Sequence, residues 1–600
     1  MASLHICENG MTSSICINTT YPSIILTLEP AGPPIPIGQY PGFAQLSDVA
    51  STVNPSTVQA ILVTKFTATS AELPTRYISV SSNPGHALSV QDAGGTWWEI
   101  HPDDVTLEAA GAVADITQDC APAMETVLTY MDVKNVGKLS LLERQYQFST
   151  TASYSFAART SYPYLSISIL GKGRGTSVIY VPYTNSTGPF NVLFGDAHSY
   201  LILKDFSVVA QSPTSLGAGC GTALKFQYTA PGGAPNLGSA YHAIIRDVSI
   251  LNDDVQTSSV SFGFFNVGID ITQCGHSVID NVWISGVGGA NAFSASMPNS
   301  DPGWAMSVGI IVDGGYSPHI RNSRIVNCTT GIRYSNNVTN VQGLNISRNN
   351  IATAQTGVYV YHVTNNTPDV HLHDNGVFAR DVGFDIISAS ACTFIGNSMS
   401  SANSDGTNIA GGTYYDFRFK KCDSIVITGN NFNNFYNVYR TCILIDADTV
   451  VDGANFASRF LIAGNNIGDD IGVNTYWGIS AVQITSSAKY IEIGHNFIEP
   501  AAEWSGPIIN DASGNVIATF YAPMVIPSAT LAGNLTPSAT STSIGWAAFG
   551  TKQISTNTLQ MTPVSAPFQP ASGWLIYCDS ADGKLKAKAH TGTTVILGTP

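Results

Sequence analysis

No glutamate occurs between Glu143 and Glu492. Carboxyl chemistry in the long middle of this chain therefore falls to aspartate. Asp385, Asp416 and Asp446 each stand in or beside a short apolar–any–apolar phrase. Two carboxyl groups facing one bond can protonate a leaving oxygen and activate water or attack directly, which is the chemistry of glycosidic hydrolysis. Matching phrases carry Arg333, Tyr359, Tyr361 and Arg418. Guanidinium groups hold acidic or hydroxyl groups, and tyrosine rings offer flat faces to a sugar. Rival carboxyl groups exist. Asp301 lies near Trp304 on a long insertion, and Glu499 and Glu503 follow Trp477 in the late part of the chain. His362, His371 and His373 open a different chemistry, proton abstraction beside a uronate as in a polysaccharide lyase.

Distant aspartates meet only if the backbone brings them together. Helical periodicity is nearly absent, apart from a helix expected over 121–133 with Asp119 as N-cap and Met124, Val127, Leu128 and Met131 on one face. Elsewhere one phrase returns: alternating apolar residues, an Asn-centred turn, then another apolar residue. It reads Leu344-Asn-Ile-Ser-Arg-Asn-Asn-Ile351, Ile425-Val-Ile-Thr-Gly-Asn-Asn-Phe432 and Phe460-Leu-Ile-Ala-Gly-Asn-Asn-Ile467, among others. The turn slot falls on Asn322, Asn349, Asn375, Asn397, Asn430, Asn465 and His495. A second phrase is Gly followed by apolar–any–apolar, as in Gly268-Ile-Asp-Ile271, Gly331-Ile-Arg-Tyr334 and Gly383-Phe-Asp-Ile386; Tyr415-Asp-Phe417 continues it without the glycine.

Three short strands closed by a tight Asn turn, returning at steps of 22 to 35 residues, make one coil of a parallel β-helix. The expected fold is all-β, a right-handed parallel β-helix or β-solenoid, with a small N-terminal region and a small C-terminal β module. Asn tolerates left-handed backbone angles, and stacked amides bond along the stack. On one sheet, Asp385 and Asp416 would then be neighbours at about 4.8 Å, near the ~5–5.5 Å of a retaining pair. Asp385 and Asp446, two coils apart, would span roughly 9–10 Å, at the upper end of the inverting range. A simpler reading makes these aspartates solvated surface residues, with Arg418 neutralising Asp416.

Composition narrows the function. The net charge of −15 argues against a nucleic-acid partner and an anionic membrane surface. No apolar run reaches the roughly 18 residues of a membrane span, so no membrane insertion is expected, and the N-terminus does not read as a secretory signal. The ten cysteines form no C-x-x-C pair and read as buried free thiols. No calcium loop or zinc spacing is present, so no metal or other cofactor is expected.

Residues Trp97 to Phe148 resemble the opening segment of bacteriophage tailspike proteins. The pattern is a strand, Ala109-Ala-Gly-Ala-Val-Ala-Asp115, an amphipathic helix, then Gly137-Lys-Leu-Ser-Leu-Leu142 and Tyr146-Gln-Phe148. The C-terminal phrases Gly573-Trp-Leu-Ile-Tyr577, Asp582-Gly-Lys-Leu-Lys-Ala587 and Gly592-Thr-Thr-Val-Ile-Leu597 are similar to the β module that ends many phage tail fibres. The resemblance implies a pectate-lyase-like β-helix, a homotrimer on the virion tail, and an enzyme that binds and depolymerises a bacterial surface polysaccharide (capsule, O-antigen or exopolysaccharide). It implies four regions: 1–45 for attachment to the virion or an adaptor protein, 46–150 as a β region with a capping helix, 151–522 as the β-helix body with the substrate site, and 523–600 for trimerisation or carbohydrate contact. Hydrolysis by Asp385, Asp416 and Asp446 is the favoured chemistry. Substrate contacts are expected from Arg333, Tyr359, Tyr361, Arg418, Trp304 and Trp477, and the alternative catalytic groups are Glu499, Glu503 and Asp301. A lyase on the same scaffold and a spike that only grips sugar remain the rivals, with a bacterial pectinase-like enzyme behind them.

Overall fold

The computed structural model describes a hairpin within residues 2–17, most of residues 40–518, and most of 574–598. The longer segments outside the described residues are 18–39, 212–218, 229–240, 253–262, 287–305, 402–412, 447–457, 468–478, 499–508 and 519–573. The chain divides into two compact units, Met1–Thr536 and Pro537–Pro600. In the second, strands Trp574–Cys578, Leu585–Ala589 and Thr594–Gly598 form an antiparallel sheet, as the three C-terminal phrases imply.

The larger unit opens with a five-stranded sheet that begins at Gly42–Gln45 and ends at Trp97–Ile100 beside Ser89–Gln91. The helix Ala121–Lys134 follows and buries Met124, Val127, Leu128 and Met131. Its N-cap is Cys120 rather than Asp119. The Asp119 carboxylate instead accepts from the Ala121 and Ser149 backbone amides, joining the helix start to the first coil. Gly137 lets the first strand of the body close on the helix, because a Cβ there would lie 2.0 Å from Met131 Cγ.

From Val136 onward the chain winds as a parallel β-helix with three faces. Face 1 runs from Val136–Ser140 through His319–Arg321, Leu344–Ser347 and Val370–His373 to Val516–Ala518. Face 2 runs from Gln145–Gln147 to Phe497–Ile498, and face 3 from Ala152–Phe156 to Ile509–Asp511. The long strands Arg324–Asn336 and Asn350–His362 bend across faces 2 and 3. Alternation sends one residue set into the tube. On face 1 the inner column is Ile279, Ile320, Ile346, Leu372, Phe394, Ile427, Ile462 and Ile493, in register coil upon coil and buried. Phe384 and Phe417 stack at 4.9 Å in the same interior. Seven cysteines among the described residues are free and buried, as expected of thiols that serve as core.

The Asn phrase is a ladder at the corner between faces 1 and 2. Each Nδ2 donates to the Oδ1 one coil on: Asn349 to Asn375 (3.0 Å), Asn375 to Asn397 (2.9 Å), Asn397 to Asn430 (2.9 Å), Asn430 to Asn465 (2.9 Å) and Asn465 to Asn496 (2.9 Å). The same Nδ2 groups also reach a strand carbonyl of the coil before. Two expected members shift by one residue. The slot is Ser323, not Asn322, at one end and Asn496, not His495, at the other. The left-handed angle belongs to the residue before each rung: Asn322, Arg348, Asp374, Gly396, Gly429 and Gly464, all with φ between 52° and 69°. The rung itself is held for its hydrogen bonds, since an unpaired amide buried there would be costly.

The glycine of the second phrase has a steric cause. A Cβ on Gly268, Gly309, Gly331 or Gly357 would lie 2.5–2.6 Å from the carbonyl oxygen of the next glycine in the column, and one on Gly383 would lie 2.7 Å from Asp416 O. Asp416 is therefore the next occupant of the glycine column. That placement decides the site.

Candidate functional site

Face 3 presents two outward rows. The first is Asp270, Ile311, Arg333, Tyr359, Asp385, Arg418 and Leu444. The second is Thr272, Asp313, Ser335, Tyr361, Ile387, Lys420 and Asp446. Arg333, Tyr359, Tyr361, Asp385 and Arg418 thus meet on one surface, as expected. Asp385 has Arg418 beside it, not Asp416, because the coil of Tyr414–Lys420 aligns by Asp416 with Gly383 and by Phe417 with Phe384.

Asp416 accordingly points into the tube and is fully buried. Its Oδ2 accepts from Arg440 Nε at 2.6 Å, and its Oδ1 accepts from the Tyr414 hydroxyl at 3.0 Å. Burial pushes this carboxyl up, against the pull of Arg440, Tyr414 and Cys442. A sugar cannot reach it. The expected retaining pair of Asp385 and Asp416 is corrected: one member is an outer residue and the other an inner one. The neutralisation of Asp416 by Arg418 is corrected too, since Arg418 serves Asp385 and Arg440 serves Asp416.

Asp385 is only 3% exposed. Arg418 covers it, donating from Nε to Oδ1 at 2.8 Å and from Nη2 to Oδ2. This bidentate grip fixes the guanidinium plane against the strand. Tyr359 and Tyr361 stack with ring centres 6.1 Å apart and planes 15° from parallel. Burial and the Asp385 carboxylate both raise the Tyr359 hydroxyl, so it remains a neutral donor. Arg333 lies one coil away and its Nε is buried without a hydrogen-bond acceptor. From Arg333 to Arg418 the strip spans three coil steps, about 14 Å.

Asp446 is half-buried, 4.0 Å from Lys420 Nζ, and Thr485 Oγ1 donates to it at 3.3 Å. It lies two coils from Asp385 but in the other row, so their backbone positions are about 12 Å apart, beyond the inverting range. Asp301, Trp304, Trp477, Glu499 and Glu503 lie outside the described residues.

Two arrangements escaped sequence reasoning. Asp270 and Asp313 occupy neighbouring coils and neighbouring outward rows, so their backbone positions are about 8 Å apart from the coil spacing and residue rise. Side chains rising from such positions can bring two carboxyl groups to the ~6.5–9.5 Å that leaves room for a water between them. Both residues were legible as outward positions, yet the pairing needs the register. Asp270 accepts from Thr272 Oγ1 at 2.8 Å and Gln227 Nε2 at 3.2 Å. The second is Asp381, half-buried four residues before Asp385, whose carboxyl burial pushes up to about 6 against the pull of Arg380 and Arg418. No sequence signal marks it, because its burial comes from neighbouring coils.

The connections around face 3 differ from those elsewhere. Between faces 1 and 2, the ladder corner is two residues long in every coil from Lys204 to Phe497. Between faces 2 and 3 the connection reaches 20 residues, from Ser285 to Met306, and between faces 3 and 1 it reaches 12, from Tyr228 to Tyr241. All the variable connections of these coils flank face 3.

No protein-family model matches the chain, and no curated protein matches it. Several solved structures that it resembles are phage tailspike proteins. One is the full-length tailspike protein 2 of the Escherichia coli O157:H7 bacteriophage CAB120, at TM-score 0.48 and 16% identity, covering 80% of this chain and 55% of that one. The chain thus spans about half the length of that tailspike. Others are the A-module of a mannuronan C-5 epimerase from Azotobacter vinelandii (TM-score 0.39, 14% identity, covering 69% and 99%) and the catalytic unit of a GH87 alpha-1,3-glucanase from Streptomyces thermodiastaticus (TM-score 0.40, 13% identity, covering 72% and 75%).

Proposed function

We propose that this protein is a phage tailspike that lays a bacterial surface polysaccharide along face 3 and cuts it by glycosidic hydrolysis. The carrying observation is the outward strip of Arg333, Tyr359, Tyr361, Asp385 and Arg418, bordered on both sides by the connections that vary in length. Loops bear specificity while a rigid frame positions them. The tyrosine rings support a sugar face, and the Asp385–Arg418 clamp holds a guanidinium in place for hydroxyl or acidic groups.

The spacing supports cleavage by Asp270 and Asp313, which lie two coil steps and one coil step from Arg333's strand. Asp270, oriented by Thr272 and Gln227, serves as the base that activates water, and Asp313 donates the proton to the leaving oxygen. The stereochemical outcome is inversion. Asp385 serves by holding Arg418 in place, and Asp446 belongs to substrate contact rather than to bond breaking. The working form is a homotrimer on the virion tail, joined directly or through an adaptor.

The test is a panel of capsular, O-antigen and exopolysaccharide preparations, read by new reducing ends and by ultraviolet absorbance. Asp270→Asn and Asp313→Asn should each lower reducing-end release at least 100-fold while polysaccharide binding persists. Unchanged rates in both would remove the pair. Products absorbing as unsaturated uronates would replace hydrolysis with elimination, and binding without shortening would make the protein an adhesin.

A further inference from the structure

Face 1 carries a polar cavity that the face 3 strip does not explain. It encloses about 240 Å³ and is lined by His319, Arg321, Asn322, Asn345, Ser347, Arg348 and His373. Its floor is two outward rows of three successive coils. His319 stands beside Asn345, and Arg321 beside Ser347, which stands beside His373. Its rim is the left-handed turn position, occupied here by Asn322 and Arg348.

The charge of this place runs against that of the chain, which is −15 overall. Arg321 and Arg246 both reach the Asp280 carboxylate, at 3.1 and 3.3 Å, and Asn322 Nδ2 donates to it at 2.9 Å. Asp280 is thereby spent, and one carboxylate faces two guanidinium groups. Nε of Arg321 and of Arg246 is buried without a hydrogen-bond acceptor. Arg348 is exposed and carries the third positive charge, with Asp374 exposed in the next turn. Asn345 Nδ2 donates to His373 Nε2 at 3.4 Å, and both side chains line the hollow.

Arg348 is out of place by backbone criteria. Its φ is 57° in a column otherwise held by Asn322, Asp374, Gly396, Gly429 and Gly464. Those are the residue types that take left-handed angles cheaply, and arginine is not. A strained residue at the mouth of a basic cavity is one kept for what its side chain does.

We propose that this cavity binds an oxyanion borne by a sugar chain, the carboxylate of a uronic acid or a phosphate group. Two guanidinium groups, two imidazoles and two amides line one hollow, with Arg246 behind them on Asp280, and they match such a group; nothing in the lining favours a cation. That a sugar presents the anion rests on the polysaccharide reading above; that the cavity takes an oxyanion does not.

The test is titration calorimetry on the full chain with D-glucuronate, inorganic phosphate and D-glucose. Both anions should bind, more weakly as sodium chloride rises, and glucose should not. Arg348→Asn should weaken both anions at least tenfold without lowering the melting temperature, because asparagine suits the left-handed angle. Ser347→Glu, which places a carboxylate in the floor, should abolish binding. Asp270→Asn should bind the anions like the unaltered protein, which separates this site from the cleavage site. Failure of both anions to bind, or full binding by Arg348→Asn, overturns the proposal. Phosphate bound with glucuronate excluded overturns the carboxylate arm of the proposal, and glucuronate bound with phosphate excluded overturns the phosphate arm.

Discussion

Replacing Asp416 by asparagine separates a structural carboxylate from a catalytic one. Asp416 and Arg440 are both fully buried, with Nε and Oδ2 at 2.6 Å. Neither Nη of Arg440 makes a further hydrogen bond of good geometry. Asparagine therefore leaves a guanidinium charge inside the tube with no counter-ion. Breaking a buried pair from one side costs about 3–5 kcal/mol. Where this pair forms late in folding, that loss speeds unfolding by a factor on the order of 10²–10⁴. Unfolding rates in guanidinium chloride, followed by tryptophan fluorescence, measure it. The double change Asp416→Leu with Arg440→Met should recover most of the loss, because removing both charges removes the desolvation problem as well. Polysaccharide cleavage by folded Asp416→Asn should stay near the unaltered rate. A variant as stable as the parent but inactive would refute the reasoning and return Asp416 to the catalytic site.

Burial holds the Asp381 carboxyl up to about 6, above its unfolded value near 3.9, so the folded chain keeps a proton that the unfolded chain has lost. Stability should therefore fall as pH rises from about 4 to about 6 and stay lower above, by about 1–2 kcal/mol for a half-buried group; Asp381→Asn should flatten this, as denaturant midpoints at pH 4 and pH 7 will show. Asn397→Ala removes a rung that accepts from Asn375 and donates to Asn430 and Leu372, leaving several buried groups unpaired at about 1–3 kcal/mol each, whereas Asn496→Ala at the half-buried end should cost less by the same assay. Gly331→Ala puts a Cβ 2.6 Å from Gly357 O and should destabilise by about 1–3 kcal/mol, measured as a lower melting temperature.

The winding of the chain was legible because both repeating phrases report hard constraints. The rung must be a side chain that both donates and accepts, and the glycine column must lack a Cβ. Sequence also placed Arg333, Tyr359, Tyr361 and Asp385 on one outer surface, since each follows a glycine at fixed distance. Asp416 was misplaced because its coil has no glycine to count from. Tyr415-Asp-Phe417 mimics apolar–any–apolar, while the in-register phrase is Phe417-Arg-Phe419. Both phrases fit the apolar–any–apolar pattern equally well, and the alternation breaks where Asp416 and Phe417 are both buried, so nothing in the pattern warns of the slip. The half-buried state of Asp381 and the meeting of Asp270 with Asp313 depend on neighbours about 30 or 40 residues away in the chain, which periodicity cannot supply.

Because each rung is the same amide meeting the same amide, the column has no memory of which turn it belongs to. Asn349 offers to any successor what it offers to Asn375, and Asn397 accepts from any predecessor. Whole windings could be deleted or duplicated between rungs with no new type of bond at the splice. The length of such a rod is thus adjustable in discrete increments, which lets a lineage trade reach for grip one winding at a time.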